Sequence, residues 1–392
     1  MSIPTQPRPP TREEWTDWKW QQRKTVRSAR HLKEHFPECD QELLDRVDQH
    51  TKTFRFQATP YFLHLIDTDP ATGNPVRDDP LWRQVVPPEI TSSRDAFDYD
   101  GETENWELDS EMVTPIAQHK YDNRVIVRYA NVCHAYCQFC YEALRTLDKD
   151  SAKVAFDLGH WAVTLDYLRA NPGIEEVILS GGEPLMHSDD QLDRLMADIR
   201  TARPDIIVRI HTRALTFNPF RIGPDLVDIL KRHQVICVGL HITSPRELTP
   251  DFDAALRQLQ TAVPIVFANV PLLAGVNDDL DRLRTLCMGL YRRGVHAGYL
   301  YHFMPHSPGS ASFRVPIHRG VELMQALRRH ISNPAVPEYV LPHATGKYTV
   351  PLYRSPEELP RHVSGDDGLR VLEFVNWQGD RVQYPDPDTD SH

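Results

Sequence analysis

Val125-Ile-Val-Arg-Tyr-Ala-Asn-Val-Cys-His-Ala-Tyr-Cys-Gln-Phe-Cys-Tyr141 decides how the rest of the chain is read. Residues 125–130 form a β-branched, apolar run of strand length. Cys133, Cys137 and Cys140 follow within eight residues as C-x3-C-x2-C. The 392-residue chain has only six cysteines, and Cys39, Cys237 and Cys287 are scattered, which is too sparse for a disulfide framework. Three thiolates on one loop after a strand can wrap a single metal-containing object and leave a fourth position open. Soft thiolates favour zinc or an iron–sulfur cluster. A zinc ion would take its fourth ligand from His134 or His119.

Outward from this stretch the same kind of run recurs at 177–180, 206–210, 235–242, 265–270 and 298–303. Helical patterns lie between them at 161–170, 191–201, 225–233, 251–261 and 279–293. Continuous apolar strands alternating with helices predict an α/β protein whose parallel strands are covered on both faces. Six such units predict a sheet curled into a barrel or part of one, with the site at the C-terminal strand ends. Upstream, residues 1–10 are proline-rich, and Thr11-Arg-Glu-Glu14 reads as a helix start before Trp15, Trp18 and Trp20. Residues 41–67 read as further helix. Residues 68–119, rich in Asp, Pro, Gly and Glu without a period, read as an extended surface segment. Strands and loops are expected from Glu338 onward. The resulting division is an N-terminal helical and extended arm at 1–118, a barrel at 119–335 and a C-terminal segment at 336–392.

Forty-four Lys and Arg against 55 Asp and Glu give a net charge of −11. That balance argues against a broad nucleic-acid surface, which needs a positive field. No apolar run is long enough to span a membrane. The first ten residues lack the apolar centre of a signal peptide, so a cytoplasmic location is expected.

The cysteine spacing, with aromatic Phe139 before the last cysteine, resembles the radical S-adenosylmethionine superfamily. The resemblance implies a partial (β/α)6 barrel. It also implies that Cys133, Cys137 and Cys140 hold three irons of a 4Fe–4S cluster, the fourth being chelated by the amino and carboxylate groups of S-adenosylmethionine. Leu179-Ser-Gly-Gly-Glu-Pro-Leu185, one strand–helix unit later, is similar to a second motif of that superfamily. Glycines there let the backbone approach a ligand closely, and free N–H groups serve as donors. In the superfamily, the stretch that Gly181, Gly182 and Glu183 match contacts the methionine end of S-adenosylmethionine.

Tyr339-Val-Leu-Pro-His-Ala-Thr-Gly-Lys347 narrows the resemblance to the lysine 2,3-aminomutase family. Trp15-Thr-Asp-Trp-Lys-Trp20, Thr59-Pro-Tyr-Phe62, Asn74-Pro-Val-Arg77, His119-Lys-Tyr-Asp-Asn-Arg124 and Phe313-Arg-Val-Pro316 match as well, so the likeness runs over residues 12–385. It implies that Lys347 forms a Schiff base with pyridoxal 5′-phosphate, within a C-terminal extension that binds this cofactor. Lys120 and Arg124 are implied near the phosphate, with Tyr121 and Tyr301 close by. His241 and Asn269 are implied as polar contacts to S-adenosylmethionine. The activity implied is a 2,3-aminomutase that moves the α-amino group of an amino acid to the β-carbon by 5′-deoxyadenosyl radical chemistry. Elimination or fragmentation with the same cofactors is the alternative. The partners implied are an amino acid substrate, an external one-electron reductant of the flavodoxin or ferredoxin type, and a second copy of the chain.

Two departures bear on the substrate. Lysine-specific members hold the distal ammonium with two aspartates, whose places read Phe303-Met-Pro-His306 and Val340 here. A buried ammonium without a partner is costly, so lysine is not the expected substrate. A pocket bordered by Met304, Val340, His302 and His306 suits a neutral side chain better. Glu142 stands where the family has an arginine that grips the substrate carboxylate. Either Arg145 substitutes for it, or the carboxylate is held differently.

Overall fold

The computed structural model of the chain describes residues 9–88, 107–150, 153, 155–304, 310–343, 345–365, 370–376 and 378–386. His306 and most of the 305–312 loop therefore lie outside the described residues.

Ten strands form one sheet in strict chain order. They are β1 Met112–Thr114, β2 Ala117–Tyr121, β3 Arg124–Ala130, β4 Glu176–Gly181, β5 Ile207–Thr212, β6 Cys237–His241, β7 Ile265–Leu272, β8 His296–His302, β9 Glu338–His343 and β10 Gly346–Thr349. Strands β3 to β9 run parallel, while β1 and β2 at one end and β10 at the other are antiparallel. A separate three-stranded sheet follows: β11 Arg361–Ser364, β12 Arg370–Val375 and β13 Arg381–Pro385. The chain is thus a mixed α/β protein with a large, mostly parallel sheet.

The two faces of the sheet differ in chemistry. Val125, Val177, Val208, Val238, Val266 and Leu300 point to one side, into the main core with the connecting helices. Helix Asp189–Ala202 shows why those helices form: Ser188 and Gln191 make a reciprocal capping box, and Leu192, Leu195, Met196 and Ile199 line one buried stripe. Each such side chain contributes about 1.5–3 kcal/mol on burial. On the other face the register aligns Arg128 with Ser180, His211 with Gly239, and His241 with Asn269. The strands are therefore not apolar on both faces, as expected from sequence. One face is core, and the other is a polar wall.

The sheet also curves enough for its ends to meet. Tyr121 on β2 accepts a hydrogen bond at 3.1 Å from the backbone N–H of Lys347 on β10. Since β2 and β10 stand near opposite ends of the strand order, this bond brings the two ends of the sheet together.

The N-terminal region departs from its expected outline. The helix expected over 41–67 is two helices, Gln41–Thr53 and Pro60–His64. Pro60 disfavours a helical Thr59, which instead caps the second helix with its hydroxyl. Phe54 and Ala58, in the gap, form isolated bridges to Asp148 and Val26. The segment expected as merely extended contains helix Trp82–Val85 and strands β1 and β2. A second core, with Leu32, Val47, Phe62 and Leu81, packs this region against Ala135 and partly buried Cys137 of the cysteine loop. No helix among the described residues is long and apolar enough to cross a membrane.

Candidate active site

The cysteine loop leaves the C-terminal end of β3 and is anchored from several directions. Gln57 donates from its side chain to the Cys133 carbonyl at 2.8 Å, and its own carbonyl accepts from Tyr136 N–H at 2.9 Å. The Gln138 N–H donates to the Gln84 carbonyl at 2.8 Å. Cys137 Sγ accepts a hydrogen bond from Arg213 Nη1 at 2.9 Å, and Cys140 Sγ lies 3.4 Å from the Thr146 hydroxyl. Burial pushes all three thiols up, Cys140 to about 12, and the neighbouring cysteines raise Cys133 and Cys140 further. Thiols held this way become thiolates only when a bound metal centre supplies the compensating charge.

Among the described residues, no three His, Cys, Asp or Glu side chains converge on a point where one metal ion would sit. A four-iron cluster does not ask for that convergence, because each thiolate takes a different iron. His119 is engaged by Tyr167 at 2.8 Å and by the Asp122 carbonyl at 3.3 Å, and His134 Nδ1 by Gln22 at 2.9 Å. Of the two histidines, only His134 keeps a ring nitrogen, Nε2, without a hydrogen-bond partner, and it does not converge with the cysteines on one metal position, so the donor set suits the cluster better than a zinc ion.

The glycine motif makes a contact within the protein that the sequence does not announce. The N–H groups of Gly182 and Glu183 are not free donors. They bond to the carbonyls of Ala130 and Val132 at 2.6 and 2.8 Å, where the cysteine loop begins. Gly181 has φ +104°, and a Cβ there would lie 2.6 Å from the Ala130 oxygen. A Cβ on Gly182 would lie 2.6 Å from the Val132 oxygen. The glycines admit the cysteine loop itself. Glu183 is buried and accepts from the Thr212 hydroxyl at 2.7 Å, Arg213 N–H at 2.7 Å and Leu185 N–H at 3.0 Å. Burial raises its pKa, and these three donors oppose that rise.

At the other end of the sheet, Lys347 Nζ stands among tyrosine rings. It is 4.9 Å from the ring centre of Tyr299 and 5.8 Å from those of Tyr121 and Tyr301. The side chain remains accessible although protein surrounds it, as for a group lining an open cavity. Desolvation, followed by Arg124 and Arg209, lowers its pKa to about 8, with Glu338 opposing. Arg124 stacks 4.0 Å above the Tyr121 ring. Lys120 projects elsewhere, into an ion pair with Glu111 at 2.7 Å. Tyr299 and Arg209 were not singled out in the sequence. Their only signal is the period-two spacing that puts Tyr299 on the face of Tyr301.

A model described as the Radical SAM superfamily matches residues 127–285. The chain is 30% identical to an L-lysine 2,3-aminomutase of Acetoanaerobium sticklandii, over 96% of this chain and 86% of that one. It is 30% identical to the L-lysine 2,3-aminomutase of Clostridium subterminale over 95% and 85%, and 25% identical to a glutamate 2,3-aminomutase of Clostridioides difficile over 96% and 84%. The chain belongs to the radical SAM lysine 2,3-aminomutase family. Its relatives are isomerases, and lysine 2,3-aminomutases of this family use a 4Fe–4S cluster, S-adenosylmethionine and pyridoxal phosphate.

The region after the last cysteine is held by buried ion pairs. Arg145 is tied to Glu107 by two hydrogen bonds of 2.5 and 2.8 Å, and to the Pro115 carbonyl at 2.7 Å. Burial alone would raise Glu107, but Arg145, Arg128 and Lys153 outweigh it and hold its pKa at about 2. Glu142 lies 3.3 Å from Arg128 Nε. Arg128, on the polar face of β3, also donates to Gln118 at 2.8 Å, and its Nη1 is buried without a hydrogen-bond partner. Burial, then Glu142, pushes the Tyr141 hydroxyl up, while Arg128 opposes that rise.

Deeper in the wall, the Asn269 amide donates to His241 Nε2 at 3.5 Å, and the His211 and His241 rings are 5.4 Å apart. Desolvation and the Arg213 cation lower His241 to about 4. Desolvation, then His241, lowers His211 well below the ordinary histidine value. His211 Nε2 and Asn269 Oδ1 are buried without partners. Of the residues expected to border the substrate pocket, Val340 is paired with Tyr301 on the cavity face. His302 sits on the opposite face, bonded to the Tyr339 hydroxyl at 2.8 Å.

Proposed function

We propose that the chain is a pyridoxal phosphate-dependent radical 2,3-aminomutase acting on an amino acid other than lysine. The observation that carries this reading is the setting of Lys347, whose amine stands 4.9–5.8 Å from the ring centres of Tyr299, Tyr121 and Tyr301 with its pKa lowered to about 8, in a chain that also carries the three-cysteine loop. The curled sheet is read as the partial (β/α)6 barrel of the family, with β9, β10 and Lys347 as the extension that closes it. When bound, the cluster and S-adenosylmethionine supply the 5′-deoxyadenosyl radical, and pyridoxal phosphate supplies the carbonyl that takes up the amino group.

The protein's own residues then have distinct tasks. Lys347, with its pKa near 8, presents a neutral amine to a carbonyl more readily than an ordinary lysine does. Arg124, held flat on Tyr121, suits a phosphate dianion. Lys120 is assigned no direct phosphate contact, because Glu111 occupies it. His241 and Asn269 line the wall below the cysteine loop as neutral polar groups for S-adenosylmethionine. Cys133, Cys137 and Cys140 are the cluster ligands, and Phe139 packs against Phe313 behind them. The α-carboxylate is assigned to Arg128 and not to Arg145: both lie against Glu107, but Arg145 is held there by two hydrogen bonds and by Pro115, while Arg128 Nη1 has no hydrogen-bond partner. The places of the two ammonium-binding aspartates are apolar at Val340 and Met304, so lysine's distal charge would lie unmatched.

The test is anaerobic turnover of a panel of amino acids, lysine included, with products identified by mass spectrometry. A β-amino acid from a neutral substrate is expected, and borohydride should fix the cofactor label on Lys347. Release of ammonia with a keto acid would favour elimination. If lysine outcompeted every neutral substrate, an acid such as Glu338, whose charge acts on Lys347, would take the ammonium-binding role.

A further inference from the structure

Arg213 is the first residue after β5 and has no local motif to mark it. Its guanidinium is nonetheless one of the most constrained groups in the protein. Nη1 donates to Cys137 Sγ at 2.9 Å. Nη2 donates to the Thr243 hydroxyl at 3.1 Å and to Glu247 Oε2 at 3.2 Å, and it also meets Gln84. The plane is held between Phe217, at 4.3 Å, and Phe139, at 5.3 Å. Glu247 is itself immobilised: its other oxygen accepts from Thr243 N–H at 3.1 Å, the Thr243 hydroxyl at 2.6 Å, Ser244 N–H at 2.8 Å and Gln84 at 3.1 Å. The backbone N–H of Arg213 bonds to Glu183 of the glycine motif. A long, flexible side chain has thus been fixed so that one N–H faces one sulfur.

We propose that Arg213 sets the reduction potential of the cluster held by Cys133, Cys137 and Cys140, by donating a charge-assisted hydrogen bond to the Cys137 thiolate. This rests on reading the three cysteines as cluster ligands. Four irons on three thiolates carry net negative charge, which grows by one when an external one-electron donor of the flavodoxin or ferredoxin class reduces them. Much of that added charge falls on the sulfurs. A cation and an N–H donor at a ligating sulfur stabilise the reduced form more than the oxidised one, and so raise the potential. Glu247 moderates the field of Arg213 without removing the donor. Arg213 itself neither gains nor loses a proton, and no covalent bond to it changes. It is a positioning and tuning residue, since it acts through Cys137.

The experiment is an EPR-monitored dithionite titration of the anaerobically reconstituted full-length protein, wild type against the paired variant Arg213→Gln with Glu247→Gln. The pair removes the donor and the cation without stranding a buried carboxylate. With iron content unchanged, reduction should become at least tenfold less favourable, a fall of about 59 mV for one electron. An unchanged midpoint overturns the proposal, as does an unchanged midpoint accompanied by weakened S-adenosylmethionine binding, which would make Arg213 a ligand for that molecule. If the pair fails to retain iron, Arg213→Lys decides, because it keeps the charge beside Glu247 but loses the planar fork. The exchangeable-proton coupling of the reduced cluster, read by ENDOR in H2O and D2O, should lose one component in Arg213→Lys. Persistence of that component overturns the proposal. A wild type that binds fewer than four irons would instead fail the ligand reading, whatever the variants do. The titration needs neither substrate nor pyridoxal phosphate, so it is independent of whether the product is a β-amino acid.

Discussion

The cysteine loop, after β3, and the Lys347 hairpin of β9 and β10 belong to one sheet, yet they are built on opposite plans. At the cysteine end, backbone meets backbone: Gly182 and Glu183 bond to Ala130 and Val132, and a methyl group on Gly181 or Gly182 has no room. At the lysine end, β10 is a short edge strand, Lys347 is accessible, and its neighbours are rings and charges at 4.9 Å and beyond. The first plan fixes positions, as a cluster with rigid geometry requires. The second tunes an amine while leaving room around it, as a group that must exchange covalent partners requires.

The strongest way to break this contrast is to place a methyl group where the cysteine end has no space. Gly182→Ala puts a Cβ 2.6 Å from the Val132 oxygen and 2.9 Å from its nitrogen, so backbone must move. A loss of about 1–3 kcal/mol in stability is expected from such overpacking. Iron retained after anaerobic reconstitution should fall with it. Gly173→Ala is the control, since nothing lies within 4 Å of the new atom, and it should keep both. Full iron retention in Gly182→Ala would show that the loop is not locked.

Between the two ends stands Arg128, and a milder change there sharpens the contrast. Arg128→Lys keeps a cation for buried Glu142 but loses the fork that carries Nη1. Losing one hydrogen bond to a carboxylate costs about 1.5–3 kcal/mol, or roughly tenfold or more in KM. The label on Lys347 and the iron content should not change. A KM that stays at the wild-type value removes Arg128 from the carboxylate site.

The same contrast explains what was readable in the chain. Cys133, Cys137 and Cys140 lie on one contiguous loop, and β3 to β8 announce themselves as apolar runs because one whole face of each is core. Strands β1, β2 and β10 are short and polar, and they exist because their partners complete them, as Ala117 pairs with Val127 and Lys347 with Pro342. Such strands have no pattern of their own. The surroundings of Lys347 come from β2, β3, β5 and β8, so local sequence does not point to them: the family resemblance names Tyr121, Arg124 and Tyr301, and nothing in the sequence names Tyr299 or Arg209. Arg213 is the clearest omission: a lone arginine after a strand reads as solvated surface, and only the fold brings it to Cys137. The glycine motif was read correctly as a site of close approach, but the group that approaches is the protein's own loop.

The smallest expected effect tests whether the lysine end is tuned by charge. Lys347 is shifted down to about 8 first by desolvation and next by Arg124. Arg124→Gln removes a cation that disfavours the ammonium form, so the pKa must rise toward the ordinary lysine value. Attack on a carbonyl needs the neutral amine. Uptake by wild type should therefore rise with pH through a midpoint near 8 and level off above it, whereas in Arg124→Gln the midpoint moves upward. Pyridoxal without its phosphate is the right probe, because Arg124 is also assigned to the phosphate and a loss of phosphate binding must not be mistaken for a pKa change. At pH 7.5 the variant should react roughly 2–5-fold more slowly, in keeping with one partly screened charge. Above pH 10 the two proteins should converge. A midpoint unmoved by the substitution would leave desolvation by the surrounding protein, with Arg209, as the cause, and Tyr299→Ser would then be the change that shifts it.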